Sequence, residues 1–101
     1  MHNEPLGKAQ AKTQLNRCLS EGSVIYSKHF RQELANDRLT TEDILAVCKS
    51  GAIIMAPEKD IKSGNWKYRI EGLSPEGLKL ALVFTFRPNM AVLITVFERT
   101  Q

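Results

Sequence analysis

From Trp66 to Glu98 the chain reads largely in twos. Trp66, Tyr68 and Ile70 alternate with Lys67, Arg69 and Glu71. After residues 72–77, which contain Ser74-Pro75-Glu76-Gly77, the alternation resumes with Leu78, Leu80, Leu82, Phe84 and Phe86. A third run, Met90 to Glu98, follows the turn signal Pro88-Asn89. A period of two sends successive side chains to opposite faces of a strand. Three such runs in succession demand an antiparallel sheet with one strongly apolar face, and that face needs a cover.

The first half of the chain supplies the cover. Ala11, Leu15, Cys18 and Leu19 recur at helical spacing within residues 6–21, and Gly22 stands where a helix C-cap belongs. Val24, Ile25 and Tyr26 form a short β-like stretch. Ser27 is an N-cap for a second helix over about residues 28–37, with Phe30 and Leu34 on its apolar edge. Thr40 caps a third helix. Asp43 is placed to reach back in a capping box, and Leu39 and Ile44 are placed as a hydrophobic staple. Ile44, Leu45, Val47 and Cys48 give its buried face, and Gly51 ends it. Ala52 to Ala56 is apolar and β-compatible up to Pro57, and 58–65 reads as a polar connection.

The expected fold is therefore α+β: two or three N-terminal helices packed on a four-stranded, curled antiparallel sheet. Residues 1–5 are expected to be disordered and 6–101 to form a single domain, as a 101-residue length suits. The two cysteines, Cys18 and Cys48, read as reduced core thiols, with a disulfide or a reactive thiol as the lesser alternatives. Without a Cys-x-x-Cys, and with only His2 and His29 to help, zinc is not expected. No apolar run is long enough to span a membrane and the first 14 residues lack a signal-peptide core, so a cytoplasmic protein is expected. The net charge of +3 is compatible with nucleic acid without demanding it.

Chemistry has few carriers here. There is no P-loop, no nucleophile elbow, no metal-binding histidine pair and no dinucleotide fingerprint. His29 lies in the first turn of the second helix, where the helix dipole favours a neutral ring able to act as a general base, and Glu33 one turn on is placed to pair with it. Packing against the sheet edge is the simpler role for a single histidine. Arg69, Arg87 and Arg99 come from three successive strands. A hairpin loop with an odd number of residues puts Met90, Val92, Ile94 and Val96 beside Phe84 and Phe86, and gathers Thr85, Arg87, Thr95, Phe97 and Arg99 on the second face; an even loop inverts this. The odd loop keeps the apolar stripe on one side and is the expected register. Guanidinium groups so gathered would hold a phosphate and Thr95 would orient it, with Arg38 extending the basic rim. A solvated sheet face is the alternative. Trp66 and Tyr68 could stack bases, although their alternation with Ile70 favours core packing.

Ser27-x-His29-Phe30-x-x-Glu33, Arg38-Leu39-Thr40-x-x-Asp43-Ile44, Gly51, Trp66-x-Tyr68-Arg69-Ile70-x-Gly72 and Ile94-Thr95-Val96-Phe97 together resemble a bacterial domain of unknown function, family 4258, over about residues 23–99. That family in turn resembles the RelE/ParE-like toxins in layout. The resemblance implies metal-independent RNA cleavage or action at the ribosome, no cofactor, and a small antitoxin protein as partner to a monomer or weak homodimer. It carries the family's early histidine onto His29 and its sheet arginine onto Arg69. Where many relatives place an arginine after this histidine, the chain has Gln32-Glu33, with Arg31 and Arg38 on either side. On this reading His29 and Arg69 are catalytic, and Arg87, Thr95, Arg99 and Arg38 bind substrate. A non-catalytic module that binds RNA or protein is the competing expectation.

Overall fold

A computed structural model describes residues 4–99, and the expectation of a disordered start falls mainly on residues 1–3, outside them. Residues 4–7 lead without regular structure into α1 (Lys8–Glu21). Then follow β1 (Val24–Tyr26), α2 (Lys28–Asn36), α3 (Thr41–Ser50), β2 (Glu58–Lys59), β3 (Trp66–Leu73), β4 (Lys79–Arg87) and β5 (Met90–Glu98).

The helices start and stop where local chemistry directs. Gly22 takes a left-handed φ of 75° after α1, and its amide bonds back to the last turn. The Ser27 hydroxyl accepts from the Phe30 amide at 3.0 Å and begins α2. Thr40 and Asp43 satisfy each other's backbone amides in a full capping box at the start of α3.

The sheet differs from expectation in two ways. It has five strands in the order β1-β5-β4-β3-β2, and it is mixed, because β1 pairs with β5 in parallel, Val24 opposite Ala91 and Tyr26 opposite Leu93. The long connection through α2 and the following segments permits this parallel pairing, which a short hairpin would not. At the other edge, Glu58 and Lys59 add a two-residue strand within the segment read as a connection.

The last hairpin also departs from the expected register. Its loop has two residues, with Arg87 opposite Met90. Pro88 presets a negative φ and Asn89 takes a φ of 63°, a combination suited to a tight reversal. Ala91 and Leu93, rather than Met90 and Val92, therefore share the face of Phe86 and Phe84. Between Leu93 and Thr95 the pairing slips by one residue: Phe84 opposes Leu93, but Val83 opposes Thr95, so Ile94 is a bulge. Past the bulge Val96 meets Leu82, and Thr95 and Phe97 meet Val83 and Ala81. The far half of β5 thus has the facing expected of an odd loop and the near half the reverse.

All three helices lie against one face. Ala11, Leu15 and Cys18 from α1, Phe30 from α2, and Ile44, Val47 and Cys48 from α3 bury against Tyr68, Ile70, Leu80, Leu82, Phe84, Leu93 and Val96. Each large apolar side chain so buried stabilises the fold by about 1.5–3 kcal/mol. The cysteines are free and buried. Burial pushes the Cys48 thiol up to about 12 and raises Cys18 as well. The end of α3 lies directly on β3: a Cβ on Gly51 would stand 2.4 Å from the Val47 carbonyl oxygen and 2.5 Å from that of Glu71. Ala52 then exchanges two backbone hydrogen bonds with Glu71.

Candidate functional site

The second face of the sheet carries no helix, and two groups of polar side chains meet there. The first begins on α2. His29 Nε2 lies 3.2 Å from Glu33 Oε2, one helical turn away, with His29 64% exposed and Glu33 23%. The other carboxylate oxygen of Glu33 accepts hydrogen bonds from the Thr95 hydroxyl and, at 2.8 Å, from the Val96 amide. β1 ends at Tyr26, opposite Leu93, so the next part of β5 has no strand on that edge, with β4 on the other. Glu33 supplies the acceptor that a neighbouring strand would have given to Val96. Ser27 secures the adjoining stretch of the same edge: its amide donates to the Leu93 carbonyl at 3.0 Å and its hydroxyl to the Ile94 carbonyl at 2.9 Å. The start of α2 is thereby tied to the bulge, and His29 is carried to the sheet edge.

The second group lies across the sheet. Arg69 Nε is 2.8 Å from Glu71 Oε2, and Arg99 Nε is 3.1 Å from Glu71 Oε1. The Glu71 side chain is only 9% exposed between them. The Arg69 contact is a close ion pair whose N–H is not aligned for a hydrogen bond. The guanidinium of Arg69 stands 5.1 Å from the centroid of the Phe97 ring, within cation–π range. Two guanidiniums against one carboxylate leave this group with one net positive charge. Beside Arg69 is a recess of about 120 Å³, lined also by Met55, Ala56, Lys67 and Val83.

Thr95, Val83 and Arg69 are successive partners across β5, β4 and β3. With strands ~4.8 Å apart, their outer members are separated by roughly 10 Å of backbone. The histidine group and the arginine group are therefore neighbours on one surface.

Of the residues the sequence singled out, His29, Thr95, Arg69 and Arg99 come to this surface. Arg87 does not join them. It is the last residue of β4, opposite Met90, four positions beyond the Val83 that pairs with Arg69, or roughly 13 Å along the strand. Arg38 is exposed in the connection after α2, with a φ of 55°. Thr85 is buried and its hydroxyl donates to the Trp66 carbonyl at 2.6 Å, a structural bond.

Two residues of the site, Glu71 and Phe97, carry no role in the expectation from the sequence. Glu71 follows Arg69 by two residues in an alternating strand, so the same face was implied for both. The contact of Phe97 with Arg69 needed the register of β5 past the bulge. Among the described residues no group of three or more His, Cys, Asp or Glu could hold a metal ion, and no helix is long and apolar enough to cross a membrane.

Comparison with protein families matches residues 26–98 to a domain of unknown function, DUF4258. The chain belongs to that family. The match runs from the end of β1 to the end of β5 and takes in His29, Glu33, Arg69, Glu71 and Thr95. Comparisons with curated proteins and with solved structures found no match.

Proposed function

We propose that this DUF4258 chain is an RNA-directed protein of the RelE/ParE-like kind, engaging RNA on the second sheet face and cleaving it without a metal ion. The observation that carries this reading is the Glu33 carboxylate, which joins His29 and Thr95 in one bonded group beside the face bearing Arg69 and Arg99. A neutral imidazole steadied by a carboxylate is suited to take the proton of a ribose 2′-hydroxyl. The 2′-oxygen then attacks the adjacent phosphorus, the bond to the 5′-oxygen breaks, and the 5′-oxygen receives a proton from the imidazolium. Guanidinium groups favour the charge that builds on the phosphoryl oxygens in between. An antitoxin partner belongs to the same proposal.

The Glu71 contacts favour a second reading. Both sheet arginines are already engaged by a carboxylate, which weakens their hold on a developing phosphoryl charge while leaving a net positive surface. A module that binds RNA without cleaving it fits that balance.

The test is incubation of the protein with total RNA in EDTA, beside the His29→Ala and Arg69→Ala variants. Discrete cleavage that both variants lose is the expected result. Salt-sensitive binding that survives His29→Ala, with no cleavage, would establish the second reading. Folded protein that neither cleaves nor binds RNA would refute both.

A further inference from the structure

A cleft at the end of the sheet, distinct from the face just described, has a composition of its own. It measures about 270 Å³ and lies between the start of α1 and the aromatic end of β3 and β4. Its aromatic lining is Trp66 and Phe86, both half-buried, with Tyr68 beneath. Tyr68 contacts Phe86 at 5.6 Å between ring centroids and also accepts a hydrogen bond from the Leu6 amide at 2.9 Å, which fixes the segment before α1 as a wall. Gln14 and Asn65 line the cleft as well, and among the described residues no hydrogen bond engages their side-chain amides. A groove along α1 shares Leu6 and Gln14 with the cleft and runs on to Arg17. The Lys59 ammonium stands 5.9 Å from the Trp66 ring centroid.

Flat aromatic rings, amides that both donate and accept, and flanking cations are the complementary features of a nucleotide. The rings match the face of a base, the amides its edge, and the cations its phosphates. Lys67 and Arg87 stand at this same end of the sheet: Lys67 opposes Thr85, and Arg87 lies two residues further along β4. Alternation turns both to the second face. A strand held there by its backbone is well placed to fold a base over the sheet end.

We propose that this cleft is a binding site for one base of single-stranded RNA, with Trp66 and Phe86 as the stacking surface and Gln14 and Asn65 reading the base edge. The proposal rests on the RNA-directed reading and assigns it a second contact, in which Arg87 finds a role outside the Arg69–Arg99 group.

Trp66 is the chain's only tryptophan, so its fluorescence reports on this cleft alone. The experiment titrates full-length protein in EDTA with end-labelled ten-nucleotide oligo(A) and oligo(U). RNA anisotropy reports binding anywhere, and Trp66 emission reports binding here. The His29→Ala background keeps the RNA intact. A saturable change in Trp66 emission that tracks the anisotropy is expected. The Gln14→Ala/Asn65→Ala double variant, checked for an unchanged melting temperature, is expected to bind about tenfold more weakly and to lose preference between the two oligonucleotides. An anisotropy increase with unchanged emission, or a double variant that binds both oligonucleotides like the parent, overturns the base site while the sheet-face reading stands. No anisotropy change with either RNA overturns the RNA-directed reading, and this site with it.

Discussion

Replacing Glu33 tests how the site is held together. One oxygen of its carboxylate accepts from both the Val96 amide and the Thr95 hydroxyl, and the other faces His29. In Glu33→Ala the Val96 amide loses its acceptor on the edge of β5 that β1 no longer covers, and an unmade backbone bond of this kind costs about 1–3 kcal/mol. The Thr95 hydroxyl is half-buried and can turn toward water, so its share is smaller. Alanine returns a few tenths of a kcal/mol in helix propensity. The net loss is about 2 kcal/mol. For a domain of this size that corresponds to a fall in Tm of about 10 °C. Glu33→Gln keeps an acceptor for Val96 and loses only charge assistance, so about 0.5–1 kcal/mol is expected. His29→Ala removes a partner that is largely exposed and is expected to cost under about 1 kcal/mol. Guanidinium unfolding followed by Trp66 fluorescence would rank the three. Equal, near-zero losses for Glu33→Ala and Glu33→Gln would refute the claim that this carboxylate stands in for a strand.

Glu71→Gln removes the charge between Arg69 and Arg99 and is expected to tighten RNA binding and steepen its dependence on salt; unchanged affinity in a filter-binding assay would remove the second face from the interface. Gly51→Ala pushes a methyl against two backbone oxygens and should cost at least about 1–3 kcal/mol in urea unfolding, because neither oxygen sits on a flexible side chain. The Cys48 thiol keeps its proton to about 12 when folded, against an ordinary value of 9.0. Its contribution is fully present below pH 9 and is lost as pH rises toward 12, at up to about 1.4 kcal/mol per pH unit. Urea midpoints measured from pH 8 to 10.5 should fall more steeply for the parent than for Cys48→Ala, and identical slopes would contradict that assignment.

The features legible in the sequence were those set by near neighbours. Ser27, Thr40 with Asp43, and Gly22 are end signals that act within one helical turn, and each does in the structure what its residue type predicts. The alternation in β3 and β4 likewise needed only a period of two. What was not legible depends on distant segments. Nothing near Val24 says that it will lie beside Ala91, and a two-residue β2 is too short to show a period. The bulge at Ile94 carries no glycine to announce it, so the facing of β5 was right past that residue and reversed before it. The separation of Arg87 from Arg69 is one of length along the strand, which a shared face alone does not reveal. The i,i+4 spacing of His29 and Glu33 was visible, whereas the reach of Glu33 to Thr95 required the placement of α2 against β5.

The bulge at Ile94 also limits how a chain of this design can vary. β5 is two half-strands of opposite phase joined at one residue. Leu93 and Val96 both face the helices although three positions separate them, and Thr95 reaches the outer surface for the same reason. Deleting Ile94 would set Thr95 directly after Leu93 in a regular ladder and keep every facing, with Val96 inward and Thr95 and Phe97 outward. A pair of residues added at the Pro88-Asn89 loop would preserve every facing. Length changes in this part of the chain are therefore tolerable in twos at the hairpin tip and in ones only at the splice, while a single-residue change elsewhere in β5 exchanges core and outer surface.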